Sequence, residues 1–161
     1  MFRNRLVGLI MLVIFGAIIS QCSSASRDDA GQITKSGDLD VSETRVGDCF
    51  IDFPNVTESS VDVASVKASP CNEPHSWQVF HKSNISLDEY SEVAVIDSSN
   101  EICSYATDAL FASLSSSKLN EHKNSDINIL NPTAQGWSAG NKAVDCLIGS
   151  DTQIYYTSIL E

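Results

Sequence analysis

Four cysteines, Cys49, Cys71, Cys103 and Cys146, lie downstream of a basic and then apolar N-terminus, and that combination constrains the chain more than any other feature. Met1 to Arg5 include Arg3 and Arg5 and no acid, and residues 6–19 form an unbroken apolar run of 14. A basic stretch ahead of an apolar stretch of that length describes an export signal. It falls short of the about 20 apolar residues that a membrane-spanning helix needs. The cysteines of an exported domain meet an oxidising compartment, so an even number of them reads as two disulfides. Three pairings are open, and spacing does not choose among them.

The fifth cysteine, Cys22, closes the sequence Ile19-Ser20-Gln21-Cys22, which resembles a bacterial lipobox, although Gln21 stands where a small residue is usual. Lipidation at Cys22 is the expected processing. Two other routes are compatible with the sequence: cleavage after Ala25, which would release a secreted protein, and retention of residues 1–22 as a signal anchor. All three place the bulk of the chain outside the cytoplasm, and the first and third attach it to a membrane.

That attachment has to come from the N-terminus. The formal net charge is −11, and it becomes −13 once the first 21 residues, with their two arginines and no acid, are set aside. Such a domain is a poor partner for nucleic acid, which demands Lys and Arg contacts to phosphate. It is equally unsuited to adhering to anionic lipid.

Between the N-terminal segment and the first cysteine of the domain, residues 23–45 contain only three large aliphatics, Ile33, Leu39 and Val41, among serines, glycines and acids. A stretch so poor in apolar residues is expected to be a flexible polar tether. Residues 46–161 are then one domain with a single modest core. Val46 to Ile51 reads as a turn feeding a strand, and the valine-rich residues 61–68 as a second strand. His75, Trp77, Val79 and His81 alternate with Ser76, Gln78 and Phe80, the period-2 pattern of a third.

Two serine–glutamate pairs at capping-box spacing, Ser86 with Glu89 and Ser98 with Glu101, mark helix starts. After the second, Cys103, Ala106, Leu110 and Leu114 recur at three and four, so the main helix is expected over about residues 99–114 with Cys103 on its buried side. Residues 115–126 read as a loop and residues 127–130 as a short strand. Residues 142–148 and 153–160 read as a hairpin across residues 149–152, with Ile154, Tyr156 and Leu160 on one face of its second strand. The class is α+β: a small antiparallel sheet with one principal helix packed on it, stapled by two disulfides.

The chemistry-bearing residues are few. Zinc wants ligands in close pairs such as C-x₂-C or H-x₃-H, and none occurs here. His75 and His81, six residues apart on one expected strand face, are too far apart to chelate together, and His122 falls in the polar loop. No serine lies in G-x-S-x-G or S-x-x-K, and a Cys–His pair would need a free thiol that the even count denies. No metal, cofactor or catalytic residue is therefore expected. His75 is read as fixing the turn after Pro74, and Trp77 and Trp137 as core, with His75, Trp77, His81 and Trp137 retained as candidates for a binding site.

Taken as a set, Val46-Gly47-Asp48-Cys49-Phe50, then Cys71 with Pro74-His75 and Gln78-Val79-Phe80, then a helical Cys103, then Pro132-Thr133, Trp137, Gly140-Asn141-Lys142, Val144 and Cys146, resembles the septum-formation domain of actinobacterial envelope proteins. Those proteins are often lipoproteins or carry a single anchor. The match covers Val46 to about Ile148. Gln78 stands where an acid is common in that family, and Asn141-Lys142 where Asp-Arg is frequent. The resemblance implies the bridges Cys49–Cys71 and Cys103–Cys146, and a role near cell division without an established reaction. The expected function is a non-enzymatic extracytoplasmic envelope protein, membrane-anchored, acting through contacts with an envelope or division protein. The alternative is a small extracytoplasmic ligand- or metal-binding module.

Overall fold

The computed structural model describes residues 24–52 and 63–161. The export segment, Cys22 and the first part of the strand expected over residues 61–68 lie outside the described residues. The elements, in order, are β1 (Ser26–Arg27), β2 (Ile33–Lys35), β3 (Gly37–Asp40), a 3₁₀ turn (Val41–Glu43), β4 (Cys49–Phe50), β5 (Ser65–Ser69), β6 (Trp77–Asn84), α1 (Glu92–Ser113), α2 (Ser116–His122), β7 (Asp126–Leu130), α3 (Ala134–Ser138) and β8 (Ala143–Gly149). Strands β3-β5-β4-β6-β8-β7 form one six-stranded sheet with every pairing antiparallel, and β1 and β2 form a separate two-stranded ribbon. The α+β class holds, with α1 packed on the sheet.

Both faces of the central strands are buried, and two cores result. On one face Phe50, Val66, Ala68, Trp77, Val79 and Leu147 pack with Ile33 and Leu39. On the other, Val144, Cys146 and Ile148 pack with Phe80 and with Val95, Cys103 and Leu110 of α1. The alternation expected along β6 breaks in its middle. Val79 pairs with Leu147 and His81 with Cys146, a bulge that sets Phe80 and His81 against a single residue of β8. Beyond it the faces exchange: His81 leaves the side of Trp77 and Val79 and joins the α1 side, opposite Cys146. The expected single face of His75, Trp77, Val79 and His81 is thus corrected.

The tether expected over residues 23–45 is also corrected. β3 forms a four-residue ladder with β5, Ala25 donates to Asp38 O at 2.9 Å, and Ile33 and Leu39 enter the first core. Backbone pairing to an existing edge lets two buried aliphatics order a segment that composition alone would leave loose. At the other end of the chain, residues 153–160 do not form the expected strand. β8 already has β6 on one side and β7 on the other, so neither edge is open to a hairpin partner. The segment crosses as an irregular strap, with Tyr155, Ser158 and Ile159 buried and Ile154, Tyr156 and Leu160 exposed.

Two helix boundaries move as well. α1 begins at Glu92, after Ser91, because Val95 and Ser99 extend the buried stripe of Cys103 and Leu110 back by two turns. Neither capping-box serine starts it, and Ser98 lies inside it. Residues 116–122, expected as loop, are helical, capped by the Ser115 side chain, which accepts from Lys118 N.

Two glycines are required where they stand. Gly47 has φ +97°, a left-handed conformation that turns the chain into β4. Gly149 faces Trp77 across the ladder, and a Cβ there would collide with the Ser76 carbonyl and come within 2.8 Å of Trp77 Cα.

Candidate functional site

The four domain cysteines form two bridges, Cys49–Cys71 and Cys103–Cys146, across sequence separations of 22 and 43 residues. The first ties β4 to the turn after β5, and the second ties α1 to β8. Three of the four sulfur-bearing residues are at most 1% exposed.

His75 follows Cys71 by a turn and serves that turn. Its ring Nδ1–H donates to Glu73 O at 2.9 Å, and its backbone exchanges two hydrogen bonds with Tyr155, at 3.1 and 2.8 Å. The residue is 2% exposed, and burial pulls its pKa below the ordinary histidine value. Trp77 is core, with Nε1 donating to Asp151 Oδ1 at 3.2 Å. Trp137, on α3, is half-buried against the second core. Its ring meets Tyr90 edge-on at 5.9 Å, and Lys142 Nζ lies 4.5 Å from its centroid. His81, Trp77 and Trp137 therefore do not converge with His75. Among the described residues no group of three or more His, Cys, Asp and Glu side chains is placed to hold a metal ion.

The structure brings together polar groups that local sequence pattern did not single out. His122, expected in a polar loop, is 4% exposed and stacks on Tyr155 with ring centroids 4.6 Å apart. Its Nδ1 lies 3.2 Å from Ser125 Oγ, which is itself 2.7 Å from the Tyr155 hydroxyl. Burial holds its pKa below the usual value, and Lys118 and His75 nearby push the same way. A serine beside a histidine begins a nucleophilic pair, but a triad needs a carboxylate on the other ring nitrogen. His122 Nε2 is buried and has no hydrogen-bond partner among the described residues.

Three further clusters hold the chain's ends and centre. The Arg27 guanidinium grips both oxygens of the buried Asp48 at 2.6 Å each, and Asp48 also accepts from Arg45 N. Gln78, inside the sheet, donates to Ser158 Oγ at 2.8 Å and accepts from Ile159 N at 2.7 Å. Lys82 and Asp145 face each other across β6 and β8 at 3.0 Å, with Thr44 donating to the same carboxylate. Burial raises the Asp145 pKa, against the pull of Thr44 and Lys82. The signal for Asp48 was its place in the Val46–Phe50 motif, but its partner lies 21 residues upstream and leaves no local pattern.

Beside α1, a groove of about 360 Å³ runs between the helix and β7, lined by Asn100, Cys103, Ser104, Thr107, Asp108, Ile127 and Ile129. Unlike the histidine cluster it is open to solvent. No family model, curated protein or solved structure matches this chain.

Proposed function

We propose that this chain is an exported, non-enzymatic envelope module that acts through protein contacts, and that septum formation is the process it serves. The observation that carries the reading is the use made of its reactive side chains. All four domain cysteines are in bridges, His75 is bonded to a turn carbonyl, and His122 is sealed under Tyr155. What remains accessible is surface. Two disulfides accord with a compartment outside the cytoplasm, and the septal role rests on the motif set from Val46 to Cys146.

The attachment is through the N-terminus, by lipidation of Cys22 or by a retained signal anchor; cleavage after Ala25 would make the protein secreted. The partner is an envelope or division protein, since a charge of −11 opposes nucleic acid. The ligand- or metal-binding alternative is disfavoured by the separation of His75, Trp77, His81 and Trp137.

The test is an export-compatible tag in dividing host cells combined with crosslinking at the cell surface. Enrichment at the septum with a recurrent protein crosslink is the expected result. Uniform envelope distribution removes the septal role, and the absence of any protein crosslink removes the contact function.

A further inference from the structure

We infer that β7 and the flank of α1 form the docking surface for a partner, and that the partner is an extended, basic polypeptide segment added as a seventh strand. The inference rests on the contact function proposed above and names the surface and the chemistry of what it meets.

The first observation is the sheet edge. β7 pairs with β8 on one side, and no strand lies on the other among the described residues. The opposite end of the sheet is partly occupied: β3 is bridged at Asp38 by Ser24, and Ala25 N donates to Asp38 O. An uncovered edge presents unpaired amides and carbonyls, the group that strand addition uses. Ile129 N–H donates to Asn128 Oδ1 at 2.8 Å, so that amide is turned away from β8 and an incoming strand takes it by displacing the Asn128 side chain. In an antiparallel strand outward-facing residues alternate, so Ile127 shares that orientation.

The second observation is the groove beside this edge. Ile127 and Ile129 face the α1 side of the sheet, where Asn100, Ser104, Thr107 and Asp108 form the other wall. A strand laid along β7 would send alternate side chains under that wall. Ile127 is 37% exposed, so apolar surface is on offer as well as backbone.

The third is charge. α1 carries Glu92, Asp97, Glu101 and Asp108 and no lysine or arginine, and β7 opens with Asp126. All five are exposed, and none lies in a salt bridge among the described residues. Asp108 lines the groove itself and the other four acids lie exposed on the two elements that flank it, so positive side chains on the incoming strand complement this side of the molecule. A second copy of the same chain does not, because edge-to-edge pairing would bring two such helices together.

The experiment titrates the oxidised domain with a short peptide alternating lysine and valine and with its glutamate–valine counterpart, following amide shifts. Expected is binding of the basic peptide alone, weakened by salt, with shifts confined to residues 126–130 and 100–108. Asp108→Lys should lower affinity about tenfold. Ile127→Pro, which removes an outward amide from an edge strand, should abolish strand addition; Ile127→Lys keeps that amide but places a positive charge beside the incoming strand's own, so it should weaken the basic peptide and tests the surface should the proline variant not fold. Equal binding of both peptides, shifts elsewhere, no binding, or dimerisation of the free domain in sedimentation would each overturn the inference. If crosslinking finds a protein partner on another face, this inference fails while the contact function stands. If no partner is found at all, the contact function itself fails.

Discussion

Residues 24–44 and residues 150–161 both strap across the sheet, and they are held by different means. The N-terminal strap is bound through its backbone, with β3 laddered to β5 and Ile33 and Leu39 placed in the first core. One bidentate ion pair, Arg27 with Asp48, closes it. The C-terminal strap has a single bridge, His75 with Tyr155, and is held by side chains that reach it one group at a time. Gln78 takes Ser158 and Ile159, Lys118 reaches Thr157 and the Ser158 carbonyl, and His122 stacks on Tyr155. A segment that joins a ladder satisfies its polar groups by repetition and needs few apolar residues. One denied an edge must have each buried polar group matched individually. The first should therefore depend on one ion pair and the second on individual side-chain hydrogen bonds, those of Lys118 included, and on histidine protonation.

Removing the disulfides has the largest expected effect. In the chain-entropy account, replacing Cys103 and Cys146 by alanine costs about 4 kcal/mol, and replacing Cys49 and Cys71 about 3 kcal/mol, since the loops differ in length. Urea denaturation of the two double variants checks the order. A more severe loss from the shorter loop would mean that Cys49–Cys71 acts beyond loop length, through its neighbour Gln78 and the C-terminal strap that Gln78 holds.

Arg27→Ala comes next. Asp48 is 3% exposed, and removing its partner leaves a buried carboxylate, an effect of about 3 kcal/mol. Adding Asp48→Asn should recover part of the loss, and the ordinary protein should show a modest salt dependence that the double variant lacks. If Arg27→Ala melts like the parent, β-pairing alone holds the N-terminal strap and the contrast in charge is lost.

Gln78→Ala strikes the other strap and should cost about 2 kcal/mol, the range for a buried side chain whose amide bonds Ser158 and Ile159 of the strap and also reaches Gly47 O. Hydrogen exchange sharpens the comparison. The Ile159 amide should lose protection while the Leu39 amide keeps it. Loss at both would show that the straps open as one unit.

These contrasts explain what the sequence could and could not disclose. The faces of α1 and β8 were legible because each is a local period against one partner: Cys103 and Leu110 at helical spacing, Val144, Cys146 and Ile148 at strand spacing. That there are two bridges was legible from the cysteine count, and their pairing only through the motif resemblance. The straps misled in opposite directions. Ile33 and Leu39 look too sparse for order until an edge is supplied by β5, and residues 153–160 look like a strand until β7 takes the edge they would have used. His122 reads as a solvated loop residue because the ring that covers it, Tyr155, arrives 33 residues later.

The pH dependence separates the straps with the smallest effect. His75 and His122 have folded pKa values lowered by burial, below the ordinary 6.5. Below 6.5 the unfolded chain binds protons that the folded chain refuses, so stability is full above that value and falls as pH drops towards the lowered ones. Asp145 has the opposite sign: burial raises its pKa above 3.8, so the folded state is the better proton acceptor and stability falls as pH rises through that window. The two slopes oppose each other only where the windows overlap. His122→Phe keeps a ring against Tyr155 and removes one titration, and it should flatten the descent below 6.5 while leaving any Asp145 contribution in place. The change should be visible at the Tyr155 and Ile159 amides before it reaches β3. A pH profile unchanged in His122→Phe, with the descent intact, would assign it to His75, whose backbone pairs with the same tyrosine.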